Sequence, residues 1–116
     1  MYKRRVRSVV ESDIRSVLSA LEVAIEEAET VEDVRWVADE VEFYRIRIGV
    51  LALIFPSLEG ILQVLRRVEP LLRHYPEDVL DRESYIFAEV RYAHEDLSAY
   101  LRLISRKDRE NATPPA

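Results

Sequence analysis

The sequence predicts an all-α fold, an antiparallel up-and-down bundle of four helices in which the third is kinked or split at Pro70. Two observations support this prediction. Apolar residues recur every three or four positions along four long segments, which is the period of an amphipathic α-helix. The connections between these segments are short, so consecutive helices must be mostly antiparallel neighbours. At about 1.5 Å per residue, such helices predict a slender bundle with a thin core.

The first two helices are separated by a helix start signal. Thr30 is a residue type that caps helix N-termini, and Asp33 stands where a side chain reaches back to the cap. We therefore expect the first helix to end near Glu29 and the second to begin at Val31. The apolar stripes of the two helices are Val6, Val10, Ile14, Val17, Leu21, Ala24 and Ala28, and then Val34, Val37, Val41, Tyr44, Ile48, Leu51 and Phe55.

Prolines punctuate the second half of the chain. Pro56 disfavours helical geometry in the preceding residue, so the second helix should stop at Phe55. Pro70 lies inside the third pattern, where it removes a backbone donor. After a turn signal at 75–78, Asp81 is a candidate cap for the last helix. The stripes are Leu58, Ile61, Leu65, Val68, Leu72 and Tyr75, and then Ile86, Val90, Ala93, Leu97, Tyr100 and Ile104.

Length and composition predict one bundle domain over residues 1–106 and a disordered tail over 107–116. Hydrophobic residues make up 48% and charged residues 34%, the balance of a soluble globular protein. The longest apolar run, 48–55, is far shorter than the ~20 residues of a membrane span. The basic N-terminus is not followed by the apolar stretch of a signal peptide. We therefore expect a cytoplasmic protein that does not associate with membranes.

The chain contains no cysteine, which excludes disulfides, thiolate metal sites and a cysteine nucleophile. Side-chain amides occur only at Gln63 and Asn111, while Glu and Arg are abundant. Depletion of thermolabile residues is typical of proteins from thermophiles. The dominance of Arg over Lys leaves a mesophile with a GC-rich genome as the alternative.

The second helix carries an additional apolar face beside its main stripe. A helix that is apolar on two faces needs two packing partners, and in so short a chain the second partner can be another copy. We predict a homodimer through the second and third helices. The alternative is that this hairpin is the inner pair of the monomer core. The residues of the predicted interface are Phe43, Ile46, Val50, Leu53, Leu62 and Leu71.

Charge is distributed unevenly along the chain. Residues 11–42 contain eleven acids and two bases, which argues against nucleic-acid binding on that face and leaves a solvated surface or a docking site for a basic partner. A basic N-terminal arm and a second cluster are candidates for contact with phosphates. The second cluster either extends the arm or pairs with acids across the bundle. These bases are Lys3, Arg4, Arg5 and Arg7, and then Arg66, Arg67 and Arg73.

Metal and cofactor chemistry have no sequence support. A di-iron bundle needs Glu-x-x-His on two helices, but the residues three before His74 and His94 are Leu71 and Arg91. The His spacing does not fit zinc, and two glycines are too few for a nucleotide-binding loop. We therefore expect no metal and no cofactor. His94 lies beside the last stripe and is expected to pack at the margin of the core.

Arg67 and His74 are separated by six residues, a spacing that resembles the Arg and His pair of HEPN-type ribonucleases, which are small helical dimers. That resemblance implies that Arg67 holds a scissile phosphate while His74 acts as acid or base. The sequence departs from the family pattern at Val68 and Pro70. The alternative is a surface histidine at a turn.

Three functions remain open. The leading prediction is a non-enzymatic, homo-oligomeric interaction or scaffold subunit of a larger assembly with a protein partner. Tyr85, Phe87 and Tyr92 of the last helix are candidates for a partner-binding face, and Trp36 lies either at an interface or at a partly buried edge. The second prediction is an accessory nucleic-acid-binding subunit, similar in size and helical class to the small subunits of CRISPR effector assemblies. The third is the HEPN-like ribonuclease.

Overall fold

The predicted four-helix bundle is confirmed by a computed structural model that describes the backbone of residues 2–112 and the side chains of residues 5–106. Helix α1 packs on α2, α2 on α3 and α3 on α4, and α4 returns to α1, so the helices close a ring. The bundle is slender, measuring 58 × 27 × 17 Å. The elements are α1 (Tyr2–Glu22), a π-helical turn (Val23–Glu27), α2 (Val31–Ala52), a 3₁₀ turn (Pro56–Leu58), α3 (Glu59–Arg73) and α4 (Tyr85–Ala112).

One hydrophobic core fills the ring. Every residue of the four predicted stripes is buried or half-buried, because the periodicity of each helix places those positions on the side that faces its neighbours. Among the largest fully buried side chains are Ile14, Leu21, Ile48, Leu65, Leu72 and Leu97.

The junction between α1 and α2 confirms the predicted cap. The hydroxyl of Thr30 accepts from the Asp33 amide at 3.2 Å, and the Asp33 carboxylate accepts from the Thr30 amide at 3.1 Å, which completes a capping box. Regular α-helix ends earlier than predicted, at Glu22, and a π-helical turn leads out of it. That turn is held by a 2.8 Å bond from the Ala28 amide to the Val23 carbonyl.

Helix α2 ends at Ala52, before the predicted stop at Phe55. The residue that precedes Pro56 leaves the helical region, as expected, with φ −120° and ψ 85° at Phe55. Leu53 and Ile54 form the intervening turn. Pro70 lies in the last turn of α3, and the helix continues through it to Arg73 as a single element.

The connection between α3 and α4 is held by Tyr75. Its ring is buried and packs edge-on against Phe87, with 6.1 Å between the two ring centres. Its hydroxyl accepts a hydrogen bond from the Asp81 amide at 2.9 Å. Asp81 was predicted to cap α4, but it lies in the turn before that helix, where its side chain accepts a hydrogen bond from the Glu83 amide at 3.0 Å. Helix α4 runs past the predicted boundary at residue 106 to Ala112, and positions 113–116 of the predicted tail lie outside the described residues.

No helix in the described part of the chain combines the length and the apolar character that crossing a membrane requires.

Candidate functional site

The second apolar face of α2 lies in solvent. Phe43, Ile46, Val50 and Leu53 have exposed fractions of 53%, 51%, 58% and 84%. Trp36 and Ile54 extend the same surface and are also exposed. A contiguous set of large apolar side chains on a surface marks an interaction site more often than a solvated one. We call this surface the α2 face, defined as Trp36, Phe43, Ile46, Val50, Leu53 and Ile54.

Helical geometry explains how one helix carries both a core stripe and the α2 face. Trp36, Phe43 and Val50 recur at seven-residue intervals, and Ile46 and Leu53 follow Phe43 and Val50 by three positions, which places them on the same side. The core stripe of α2 points the other way, toward α1 and α3. The periodicity in the sequence identified both apolar sides of α2. The structure shows that the other helices of the chain cover the core stripe and leave the α2 face exposed.

Leu62 of α3 was predicted to lie in the dimer interface, but the structure buries it within the chain. Its exposed fraction is 3%, and a Cβ placed on Gly49 of α2 would stand 3.8 Å from its Cδ1. Leu71 is half-buried against the core. Leu62 thus faces α2 of its own chain, in the most extensive helix pair of the bundle. Among the residues of the predicted interface, those that are exposed therefore lie on α2 and at Leu53, just beyond its end.

An open groove borders the α2 face at its N-terminal end. Val23 and Glu27 of the π-helical turn form one side, and Trp36, Glu40 and Phe43 of α2 form the other. The π-helical turn directs Val23 outward, where its side chain is exposed. The groove thus combines apolar walls with acidic groups.

A buried carboxylate lies behind the α2 face. Asp13 of α1 has an exposed fraction of 3%, and its Oδ2 stands 3.2 Å from Nε of Arg47. Burial raises the pKa of Asp13, and the Arg47 charge only partly offsets this effect. This Oδ2 has no well-aligned hydrogen bond, so the contact is an ion pair rather than a strong hydrogen bond. The Arg47 guanidinium lies 5.6 Å from the centre of the Phe43 ring, within cation–π range.

Sequence reasoning missed this ion pair, although a signal existed. Asp13 follows Val10 by three positions and precedes Val17 by four, so it interrupts the apolar side of α1. An acid at such a position needs a basic partner from another helix.

The predicted basic cluster on α3 is paired with acids. Arg73 bonds to Asp39 at 2.9 Å and to Glu42 at 2.8 Å, and Glu69 lies 3.6 Å away. The hydrogen bond to Asp39, with the charges of the neighbouring acids, raises the pKa of Arg73. Its second terminal nitrogen also donates to the carbonyl of Ala38. Arg73 therefore ties α3 to α2.

The other two arginines of the cluster have the same kind of partner. Arg66 bonds to Glu59 at 2.9 Å, and Arg67 bonds to Asp96 of α4 at 3.0 Å. In the N-terminal arm, Arg5 is exposed and Arg7 is half-buried, while the side chains of Lys3 and Arg4 lie outside the described residues.

The proposed Arg67 and His74 pair is not joined by a contact. Arg67 turns to Asp96, and His74 is exposed just beyond the end of α3. Within residues 5–106, no hydrogen bond or ion pair involves the His74 ring. His94 lies at the margin of the core, with Nε2 3.0 Å from Glu22. No group of three or more His, Asp and Glu side chains in the described residues is placed to hold a metal ion.

The aromatic residues of α4 divide between surface and core. Tyr85 and Tyr92 are exposed, which fits the predicted partner-binding face. Phe87 is buried against Tyr75 and is not part of that face.

Comparisons with known proteins give no family for this chain. No protein-family model, no curated protein and no solved structure matches it.

Proposed function

We propose that this protein is a non-enzymatic, homodimeric interaction subunit of a larger assembly and that its copies associate through the α2 face. The observation that carries the proposal is the exposure of Phe43, Ile46 and Val50 on one side of α2 and of Leu53 just beyond its end. A two-fold dimer uses the same surface on both copies, so a single apolar face is sufficient to form it.

The free energy expected from burying the α2 face is of the size that suits a reversible dimer. Full burial of a large apolar side chain contributes about 1.5–3 kcal/mol, and these side chains are between 51% and 84% exposed, so only part of that gain remains. Four such residues from each copy would then contribute on the order of 10 kcal/mol together. This gain is comparable to the roughly 4–15 kcal/mol that association costs in lost freedom. We therefore expect self-association that depends on protein concentration.

The distribution of charge supports a protein partner over nucleic acid. The acid-rich segment 11–42 covers the C-terminal half of α1 and the first half of α2, and it would repel phosphates. Arg66, Arg67 and Arg73, the bases of α3 that could contact phosphates, are engaged with carboxylates.

The protein partner would contact α4. The ring of four helices puts α4 diagonally opposite α2, so a dimer formed through α2 leaves α4 accessible. Tyr85 and Tyr92 are exposed there, and aromatic residues are enriched in protein interfaces.

Sedimentation velocity tests the dimer with a matched pair of variants. Ile46→Glu places a charge on the α2 face, and Gln63→Glu places the same charge on an exposed position of α3. We expect the wild type and Gln63→Glu to sediment as dimers of the 13.6 kDa chain at tens of micromolar, and Ile46→Glu as a monomer. A wild type that remains monomeric under these conditions would contradict the proposal.

A further inference from the structure

We infer that the two copies pack with their α2 helices antiparallel, so that Leu53 and Ile54 of each copy enter the groove beside Trp36 of the other. The inference rests on the proposed homodimer and specifies its geometry. Three independent features of α2 support it: its charge distribution, the position of the groove, and the seven-residue spacing of its exposed side chains.

The charge distribution of α2 is opposite in its two halves. Residues 31–42 contain five acids and one arginine, whereas residues 43–54 contain no acid and two arginines, Arg45 and Arg47, which pair with Glu69 and Asp13 of their own chain. Parallel pairing would place the acidic halves of two copies side by side. Antiparallel pairing places each acidic half beside a half without acids and opposes the two helix dipoles, so it avoids the repulsion between acids and is favoured electrostatically.

The groove and the most exposed apolar side chain lie at opposite ends of the α2 face. The groove is bounded by Val23, Trp36 and Phe43, near the start of α2, whereas Leu53 immediately follows its last residue. Leu53 is 84% exposed, more than any other large hydrophobic residue described. Because the ends are reversed in an antiparallel pair, each copy supplies the apolar side chain that fills the other copy's groove.

The spacing of the exposed residues sets the register. With the two-fold axis between the levels of residues 44 and 45, Trp36 lies opposite the partner's Leu53, and Phe43 lies opposite the partner's Ile46. This is the pairing of alternate seam positions found in antiparallel coiled coils. On the flank of the seam, exposed Glu40 approaches the partner's Arg47, which is about half exposed and also pairs with Asp13 of its own chain. Asp39, seven residues before Ile46, is itself a seam position and lies opposite the partner's Val50, and its charge is already paired by its 2.9 Å bond to Arg73.

Cysteine cross-linking tests the direction without background, because the chain contains no cysteine. Trp36 and Leu53 are both exposed, so substitution does not disturb the core. They are seventeen residues apart on one chain, about 25 Å along a helix, which is too far for a disulfide within a chain. Under mild oxidation, we expect Trp36→Cys/Leu53→Cys to give mostly covalent dimer. A 1:1 mixture of the two single variants should cross-link, and each single variant alone should not.

A charge reversal gives a second test, because it should weaken self-association if the α2 helices are antiparallel and strengthen it if they are parallel. In the antiparallel pair, Glu40→Arg faces the partner's Arg47 and should weaken self-association about ten-fold, whereas a parallel pair would lose acid repulsion and become tighter. Glu95→Arg, exposed on α4, is the matched control and should leave association unchanged.

The outcomes separate this inference from the proposed function. Self-cross-linking of Trp36→Cys alone, or tighter association of Glu40→Arg, would overturn the antiparallel geometry while the wild type still sediments as a dimer. A monomeric wild type would instead remove the proposed function itself.

Discussion

Arg47 on α2 links a buried acid to the exposed surface, with its Nε 3.2 Å from Oδ2 of Asp13 in α1. The same guanidinium lies over the Phe43 ring. Because the carboxylate is held inside the bundle, it restricts where the arginine can lie. The centre of the α2 face is therefore oriented by α1, although α1 contributes no side chain to that face.

The raised pKa of Asp13 predicts how stability changes with pH. A carboxyl whose pKa is higher in the folded chain than in the unfolded chain favours folding below the unfolded pKa, and this contribution is lost as the pH rises through the folded pKa. Asparagine at this position does not ionise. We therefore expect the free energy of unfolding of Asp13→Asn, relative to the wild type, to increase from acidic to neutral pH.

Urea unfolding of both proteins at a series of pH values measures this difference. Glu11 and Asp33 have lowered pKa values, so their protonation destabilises the fold as the pH falls. Both residues are present in both proteins, so their effect on the free energy of unfolding cancels in the comparison. A difference that stays constant with pH, or that decreases toward neutral pH, would show that burial of Asp13 does not control its ionisation.

Leu62 and Ile46 were predicted to share one interface, and the structure separates them. Leu62→Ala removes a buried side chain at the α2–α3 contact and should lower the free energy of unfolding by about 2–5 kcal/mol. Ile46→Ala alters the exposed face and should change it by less than about 1 kcal/mol in dilute, monomeric protein. Chemical denaturation at low protein concentration compares the two. Equal losses would mean that Leu62 is not a core residue.

The two glycines predict opposite responses to alanine. A Cβ at Gly49 would stand 3.8 Å from Leu62, an ordinary contact, so Gly49→Ala should stabilise α2 by about 0.5–1 kcal/mol. A Cβ at Gly60 would stand 2.2 Å from the Tyr100 hydroxyl, so the tyrosine must move and we expect net destabilisation. Thermal unfolding followed by circular dichroism measures both. A lower melting temperature for Gly49→Ala, or a higher one for Gly60→Ala, would contradict this packing.

The sequence was sufficient to predict the four helices, the Thr30 cap and the core stripes, because these depend on local spacing and capping chemistry. It also revealed that α2 has two apolar sides. It was not sufficient to assign Leu62, since which side of α3 meets α2 depends on how closely Gly49 lets the two helices approach. The Asp13–Arg47 pair was missed because it joins residues of different helices, whose relative position local spacing does not specify.

Arg73 and Arg66 provide a final comparison, because both are ion-paired but only one joins two helices. Arg73 contacts Asp39 and Glu42 of α2 and is about one-third exposed, whereas Arg66 and its partner within α3 are each about half exposed. Exposed pairs contribute about 0.2–1 kcal/mol each and weaken with salt. Arg73→Met keeps the apolar stem and should lower the free energy of unfolding by about 1 kcal/mol at low salt, and by less at high salt. Arg66→Met should leave the free energy of unfolding unchanged. Chemical denaturation at low and high salt measures both variants, and an equal loss in the two would show that the contacts of Arg73 with α2 add no stability beyond that of an exposed pair.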